Sequence, residues 1–126
     1  MGGVVAAIAA AWTLDKRICI DESMTRHTGR AVSFIQCTPA KPIKHGIKAF
    51  ALCCACTGHL RHFEIRTGKE SALDGCPGEV VKRSLSGAKI GPSTGRILCA
   101  DNCHTSLGVM THLCIAFSVL MVGTHR

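Results

Sequence analysis

The sequence is poor in acidic residues, lacks tyrosine and contains no long apolar run. Its 126 residues include eight Asp and Glu against fifteen Lys and Arg, and the formal net charge is +7. A positive excess of this size favours an acidic partner, with nucleic acid first and an anionic membrane surface second. A transmembrane helix needs about 18 or more consecutive apolar residues. No such run is present, so we expect no membrane-spanning helix.

The length of the chain and its cysteine content narrow the class of protein further. A chain of 126 residues forms one domain at most. The apolar stretch at residues 2–12 has the length of a signal peptide, but no Lys or Arg precedes it, so we interpret residues 1–11 as an apolar N-terminal extension. Nine cysteines, an odd number without an export signal, predict mostly buried free thiols rather than a disulfide framework.

The spacing of apolar residues divides the remainder of the chain into seven elements. Strands are predicted at residues 17–20, within 41–56, at 59–67, at 95–102 and at 118–123, with helices at 78–85 and 105–117. In the second helix, Leu107, Met110, Leu113 and Cys114 form the expected core stripe. The order βββαβαβ predicts an α/β fold, with a mixed sheet and helices packed on it.

Two carboxylates follow strands that are far apart in the chain. Asp21 ends the first predicted strand, and Asp101 ends the fourth. If these strands are parallel neighbours, their carboxyl ends meet at one edge of the sheet, where ligands of α/β proteins gather. Two such carboxylates suit Mg²⁺, which binds through few protein carboxylates plus substrate phosphate, and paired ions serve phosphodiester chemistry. The alternative is that both are ordinary acids at turns.

A basic loop and a second acid accompany this candidate site. Lys41, Lys44 and Lys48 lie in the segment KPIKHGIK, where they are candidates for contacts with nucleic-acid phosphates. A solvated loop is the alternative. Glu22, beside Asp21, is interpreted as a supporting or surface acid rather than a metal ligand.

A zinc site is a rival reading of the cysteines. Cys53 and Cys56 form a C-x-x-C pair that Cys99, Cys103 and His104 could complete, which would make the chain a zinc-stabilised interaction module. The pair falls within an apolar strand, however, where residues three apart point to opposite faces. We therefore prefer structural thiols. No cysteine or histidine has a base at a spacing that indicates a nucleophile.

Several blocks of the chain, in the same order, resemble the transposase domain of the piggyBac type. The resemblance covers residues 12–126 and rests on LDKRICIDESM with Gly29 and Arg30, KPIKHGIK, TGHLRHFEIRTGK, GEVVKRSL, RILCADNCHTSL and GTHR. It implies a ribonuclease H-like fold, a DNA partner, a nuclear location and DNA strand cleavage and transfer that depend on Mg²⁺ or Mn²⁺. Asp21 and Asp101 fall on the first and second catalytic aspartates of that family.

The chain departs from this family in its acids. The family places a further catalytic aspartate downstream, whereas no Asp or Glu follows Asp101. Each carboxylate lost removes charge that offsets the dehydration of a metal ion. The resemblance therefore implies the N-terminal part of a truncated catalytic domain, in which Asp21 and Asp101 keep an ancestral role and are inactive alone. A non-catalytic basic DNA-binding remnant is the alternative, and the oligomeric state stays open.

The missing tyrosines fit the same interpretation. Where the family blocks usually carry tyrosine, this chain has Cys37, His59 and His104, and Cys and His codons are each one base change from a Tyr codon. Drift in a decaying element predicts such a pattern. The substitutions at Cys103 and His104 also predict altered packing beside the second aspartate.

Overall fold

A computed structural model describes residues 2–29, 31–67, 76–92 and 95–123. In chain order the elements are α1 (Gly2–Ala11), β1 (Arg17–Arg26), β2 (Gln36–Cys37), β3 (His45–Cys54), β4 (Leu60–Ile65), α2 (Pro77–Gly87), β5 (Ile97–Ala100), a 3₁₀ helix (Asn102–His104), α3 (Leu107–Phe117) and β6 (Leu120–Gly123). Arg30, residues 68–69 and residues 124–126, which belong to the blocks quoted above, lie outside the described residues.

The predicted order of seven elements is confirmed, and the structure contains three more. The additions are α1, the two-residue strand β2 and the 3₁₀ helix. The strand β2 and the 3₁₀ helix are too short to show a period in the sequence. Helix α1 is alanine-rich, which favours helix, but it lacks the polar face that marks an amphipathic one. Within the described ranges, no helix is both long enough and apolar enough to cross a membrane.

The strands form one mixed sheet in the order β2-β3-β1-β5-β6, with β4 also paired to β3. Strand β3 is antiparallel to β1, β2 and β4, whereas β5 is parallel to both β1 and β6. The predicted α/β class with a mixed sheet is therefore confirmed. The parallel pairs place the carboxyl ends of β1, β5 and β6 on the same side of the sheet.

Strand β1 is longer than predicted, because β3 pairs with it to its end. The register runs from Ile18 opposite Cys54 to Arg26 opposite Gly46. Gly46 is required there, since a Cβ atom at this position would collide with the carbonyl oxygen of Thr25. The second half of β1 is mostly polar, so the spacing of apolar residues predicted only the first half of the strand.

The core lies on one face of the sheet. The buried strand side chains on this face pack against buried residues of both later helices: Ile18, Ile20, Phe50, Leu52, Cys54, Leu98 and Met121 from the sheet, Val80, Val81 and Leu85 from α2, and Leu113 from α3. On the other face Cys53, Cys19 and Cys99 are opposite one another in register and only half-buried. The described residues thus bury one face of the sheet and not the other.

Two expectations about burial are wrong. All nine cysteines are free thiols, but only Cys54 is buried, because the others lie in loops, on the second sheet face or on the outer side of α3. Leu107, expected in the core stripe of α3, is 77% exposed. Helix α3 is apolar nearly all round, so its spacing does not single out one stripe, and Leu113 alone is fully buried.

We predict that the two sides of α3 differ sharply in their contribution to stability. Leu113→Ala should lower the free energy of unfolding by about 2–5 kcal/mol, because it opens a cavity in the core. Ile115→Ala, at a residue that is 79% exposed, should change it by less than about 0.5 kcal/mol. Urea unfolding followed by circular dichroism measures both. Equal losses in the two variants would contradict this packing.

Candidate metal and nucleic-acid site

The parallel pairing of β1 and β5 brings the two predicted aspartates together. Ile20 and Ala100 are the last paired residues of the two strands, and Asp21 and Asp101 are the residues that follow them. Neighbouring strands lie about 4.8 Å apart, so two acids that are distant in sequence occupy adjacent positions at one edge of the sheet. Both side chains belong to exposed residues.

The expected position of Asp21 at the end of its strand is wrong. Strand β1 continues to Arg26 because β3 pairs with it throughout, while β5 ends at Ala100 and the chain turns into the 3₁₀ helix. Asp21 therefore lies where the parallel pair ends, within a strand that goes on. The Oδ1 atom of Asp21 accepts a hydrogen bond of 2.7 Å from the backbone N–H of Glu22.

Asp101 forms the N-terminal cap of the 3₁₀ helix. Its side chain accepts a hydrogen bond from the backbone N–H of Asn102, and its carbonyl oxygen accepts one of 2.9 Å from the Thr105 hydroxyl. The Sγ atom of Cys103 lies 4.0 Å from Asp101 Oδ2. Burial and the neighbouring acids raise the pKa of Cys103, which keeps this residue a neutral thiol beside the carboxylate.

The acid pair fits a hard cation in part. Mg²⁺ binds proteins through one or two carboxylates and completes its octahedron with water and substrate phosphate, and Asp21 and Asp101 supply two such ligands. Among the described residues no group of three or more His, Cys, Asp or Glu side chains could hold a metal ion. The pair is therefore suited to a cation that takes its remaining ligands from water and a phosphate.

Glu22 is the centre of an ion-pair network beside the acid pair. Its Oε1 lies 2.6 Å from Lys41 Nζ, and its Oε2 contacts Lys48 Nζ. Hydrogen bonds from Lys41 and Lys48 lower the pKa of Glu22 to about 2. The bond to Glu22 raises the pKa of Lys41, and the charges of Asp21 and Asp101 add to that effect. Glu22 is thus a supporting acid that fixes two of the three predicted phosphate-binding lysines.

The sequence contained a signal for this network. Glu22 follows Ile18 and Ile20 at intervals of two, so in an extended strand its side chain points toward the core face. A carboxylate on that face requires a partner, because an unpaired charge is costly to bury. The predicted strand ended at residue 20, so Glu22 lay outside it and its need for a cationic partner was not predicted.

A buried histidine packs under the network. His104 is only 3% exposed, and its ring meets that of Phe50 edge-on, with centroids 5.7 Å apart. Lys48 Nζ lies over the same Phe50 ring, 5.3 Å from its centroid. Both ring nitrogens of His104 are buried, and neither has a hydrogen-bond partner among the described residues. The altered packing expected beside Asp101 takes the form of an unsatisfied imidazole.

The C-x-x-C pair does not form a common site. Cys53 lies half-buried in β3, whereas Cys56 lies in the following turn and donates a hydrogen bond of 2.6 Å to Asp15 Oδ2. That bond raises the pKa of Cys56. The two thiols therefore have separate surroundings. The expectation that both lie within the strand is wrong, because β3 ends at Cys54.

We predict that Glu22 makes stability depend on pH at acid values. A carboxylate whose folded pKa is about 2, against an ordinary value of 4.5, stabilises the fold above pH 4.5 and loses that contribution as the pH falls toward 2. Glu22→Gln should be less stable at neutral pH and should show a flatter pH dependence between these values. Urea unfolding across the range measures this.

The matched control for this prediction is Glu79→Gln. Glu79 pairs with Lys82 at i,i+3, but both side chains are about one-third exposed, and such surface pairs contribute little. The control should follow the wild type closely. If Glu22→Gln followed it as well, the network would not support the fold.

We predict that His104→Phe stabilises the protein. The change removes two unsatisfied buried nitrogens and keeps an aromatic ring against Phe50, so the free energy of unfolding should rise by about 1–3 kcal/mol. His112→Phe, at an exposed position, is the control and should have little effect. Thermal unfolding measures both, and a midpoint for His104→Phe below that of the wild type would contradict the prediction.

Comparisons with known proteins agree with this geometry. The family model described as Transposase IS4 matches residues 4–126. A solved chain described as a piggyBac transposase synaptic complex with hairpin DNA, determined by cryo-electron microscopy, shares 27% sequence identity and superposes with a TM-score of 0.82. The match covers 97% of this chain and 25% of that chain. The search of curated proteins gave no match.

These matches confirm two sequence-based predictions. The resemblance to piggyBac-type transposases holds over nearly the whole chain, and the predicted partial ribonuclease H-like α/β fold corresponds to the matching part of the solved transposase. The family match begins at residue 4, within α1, whereas the resemblance of the sequence blocks begins at residue 12. The chain spans about a quarter of the length of the solved relative. On the family match, this chain belongs to the IS4 transposase family.

Proposed function

We propose that the chain is part of a piggyBac-like DNA transposase and retains two ligands of its metal-dependent strand-transfer site. The observation that carries this proposal is the register of β1 and β5, which sets Asp21 beside Asp101. The complex named for the solved relative contains hairpin DNA, which supports DNA as the partner. On the family resemblance, we place its action in the nucleus.

In this proposal Asp21 and Asp101 would hold Mg²⁺ or Mn²⁺ against a phosphate of the DNA. The bound ion would polarise the scissile phosphodiester and lower the pKa of an attacking water. Asp101 is oriented by its capping bond to Asn102, and Asp21 by the continuous pairing of β1 with β3. Lys41, held by Glu22, adds positive charge where the phosphate would lie.

The 126-residue chain alone is proposed to be catalytically incompetent. Two carboxylates give weak metal binding, and no Asp or Glu follows Asp101 to provide a third. The second candidate function is a DNA-binding remnant without catalysis. The net charge of +7 favours it, because electrostatic binding to phosphates requires no metal site.

We predict that Mn²⁺ binds weakly at the acid pair and that no cleavage follows. Paramagnetic Mn²⁺ should broaden the amide NMR signals of residues around Asp21 and Asp101, and the double variant Asp21→Asn/Asp101→Asn should abolish that broadening. Asp15→Asn, at an exposed acid elsewhere, is the control. Supercoiled plasmid should stay intact with Mg²⁺ or Mn²⁺.

Two results would contradict this assignment. Nicking that requires metal and disappears in the double variant would show that the chain is an active nuclease by itself. Broadening that survives in the double variant would place the metal elsewhere. DNA binding that persists in the double variant is expected in either case, since the charge of the two aspartates does not attract phosphate.

A further inference from the structure

A positively charged pocket lies at the far end of β1 from the acid pair. It has a volume of about 380 Å³ and is formed where β1 ends against the loop that precedes β3. Its lining residues are Arg26, His27, Thr28, Pro42, Lys44 and His45. None of these is acidic. The pocket therefore combines a concave shape with charge of one sign.

Among the residues that the structure describes, the cations of this pocket have no acidic partner, unlike the lysines next to the aspartates. Lys41 and Lys48 are both paired with Glu22. Arg26 and Lys44 form no ion pair with any described carboxylate. The Nε2 atom of His27 is shielded from water and has no hydrogen-bond partner in the described part of the chain. The lysines of the network are neutralised by the Glu22 carboxylate, whereas the lining of the pocket contains no carboxylate.

The pocket is held in shape by the sheet and by the loop itself. Arg26 is fixed at the end of β1 by its pairing opposite Gly46. The loop is closed by a backbone bond of 2.8 Å from Thr38 N–H to the Lys44 carbonyl, and the Lys41 ion pair ties it to Glu22. A preformed cationic pocket loses less conformational entropy when it binds an anion than separate surface lysines do.

The pocket and the acid pair lie on the same strand but are separate. Five residues separate Asp21 from Arg26 along β1, which corresponds to about 17 Å at 3.4 Å per residue. Residues five apart in an extended strand point to opposite faces. The pocket therefore offers a contact of its own, independent of the acid pair.

We propose that this pocket binds a backbone phosphate of DNA that is separate from the phosphate at Asp21 and Asp101, without the help of a metal ion. The inference rests on the proposed function, because it takes DNA as the partner. It assigns the contact to Arg26 and Lys44. Of the three lysines predicted from the sequence, Lys44 is then the phosphate ligand at this position, whereas Lys41 and Lys48 serve the acid site.

The test is a salt titration of DNA binding in the presence of EDTA. Fluorescence anisotropy with a labelled 20-base-pair duplex gives the slope of log K against log salt concentration for the wild type, for Arg26→Gln/Lys44→Gln and for the control Lys82→Gln/Lys89→Gln. Both double variants remove two positive charges. The pocket variant should reduce the magnitude of the slope by about 1, because one phosphate contact is lost, and the control should leave it unchanged.

Each outcome has a distinct meaning. If the wild type binds DNA and the pocket variant keeps its slope, the pocket is overturned and the proposed function stands. If the wild type shows no salt-dependent binding, DNA as the partner is overturned, and the pocket with it. If RNA duplex binds more tightly and is the ligand lost in the pocket variant, the assignment to DNA is overturned.

A second measurement keeps the test independent of how the variants fold. In the wild-type chain with EDTA, the imidazole NMR signals of His27 and His45 should shift when the duplex is added, and that of His112, on α3, should not. Uniform shifts, or none at His27 and His45, would overturn the pocket.

Discussion

The register between β1 and β5 is the constraint on which the candidate site depends. Ile18 lies opposite Leu98, and both side chains are fully buried in the core. Because side chains alternate along a strand, a slip of one residue would turn these apolar groups to the open face and bring thiols into the core. The burial of aliphatic side chains therefore fixes Asp21 beside Asp101, although neither acid contributes to the core.

Glu22 connects strand β1, whose register is fixed by the core, to the basic residues Lys41 and Lys48. It stands on the core side of β1 next to buried Ile20, and only pairing with Lys41 and Lys48 makes that position acceptable for a carboxylate. Removal of one partner of such a pair leaves a charge without compensation, which costs more than the pair gains. The network thereby ties the loop before β3 to the strand that bears Asp21, and that loop forms a wall of the cationic pocket.

The sequence predicted those features that depend on period and order. The order βββαβαβ made β1 and β5 candidates for parallel neighbours, and the acid pair followed from it. It did not predict the full length of β1, whose outer half is polar and is held by pairing to β3. Pairing of this kind depends on residues distant in the chain, and a local pattern does not record it. The unsatisfied ring of His104 likewise depends on Phe50, which is remote in sequence.

Metal binding and DNA binding depend on different groups in this fold. A hard cation at Asp21 and Asp101 needs ionised carboxylates, with water and a substrate phosphate as its remaining ligands. Phosphate binding needs cations without local acids, and Arg26 and Lys44 meet that requirement at the other end of β1. Substitution of the two aspartates leaves the cations of the pocket untouched. The proposed metal binding and the proposed DNA binding are therefore separable by mutation.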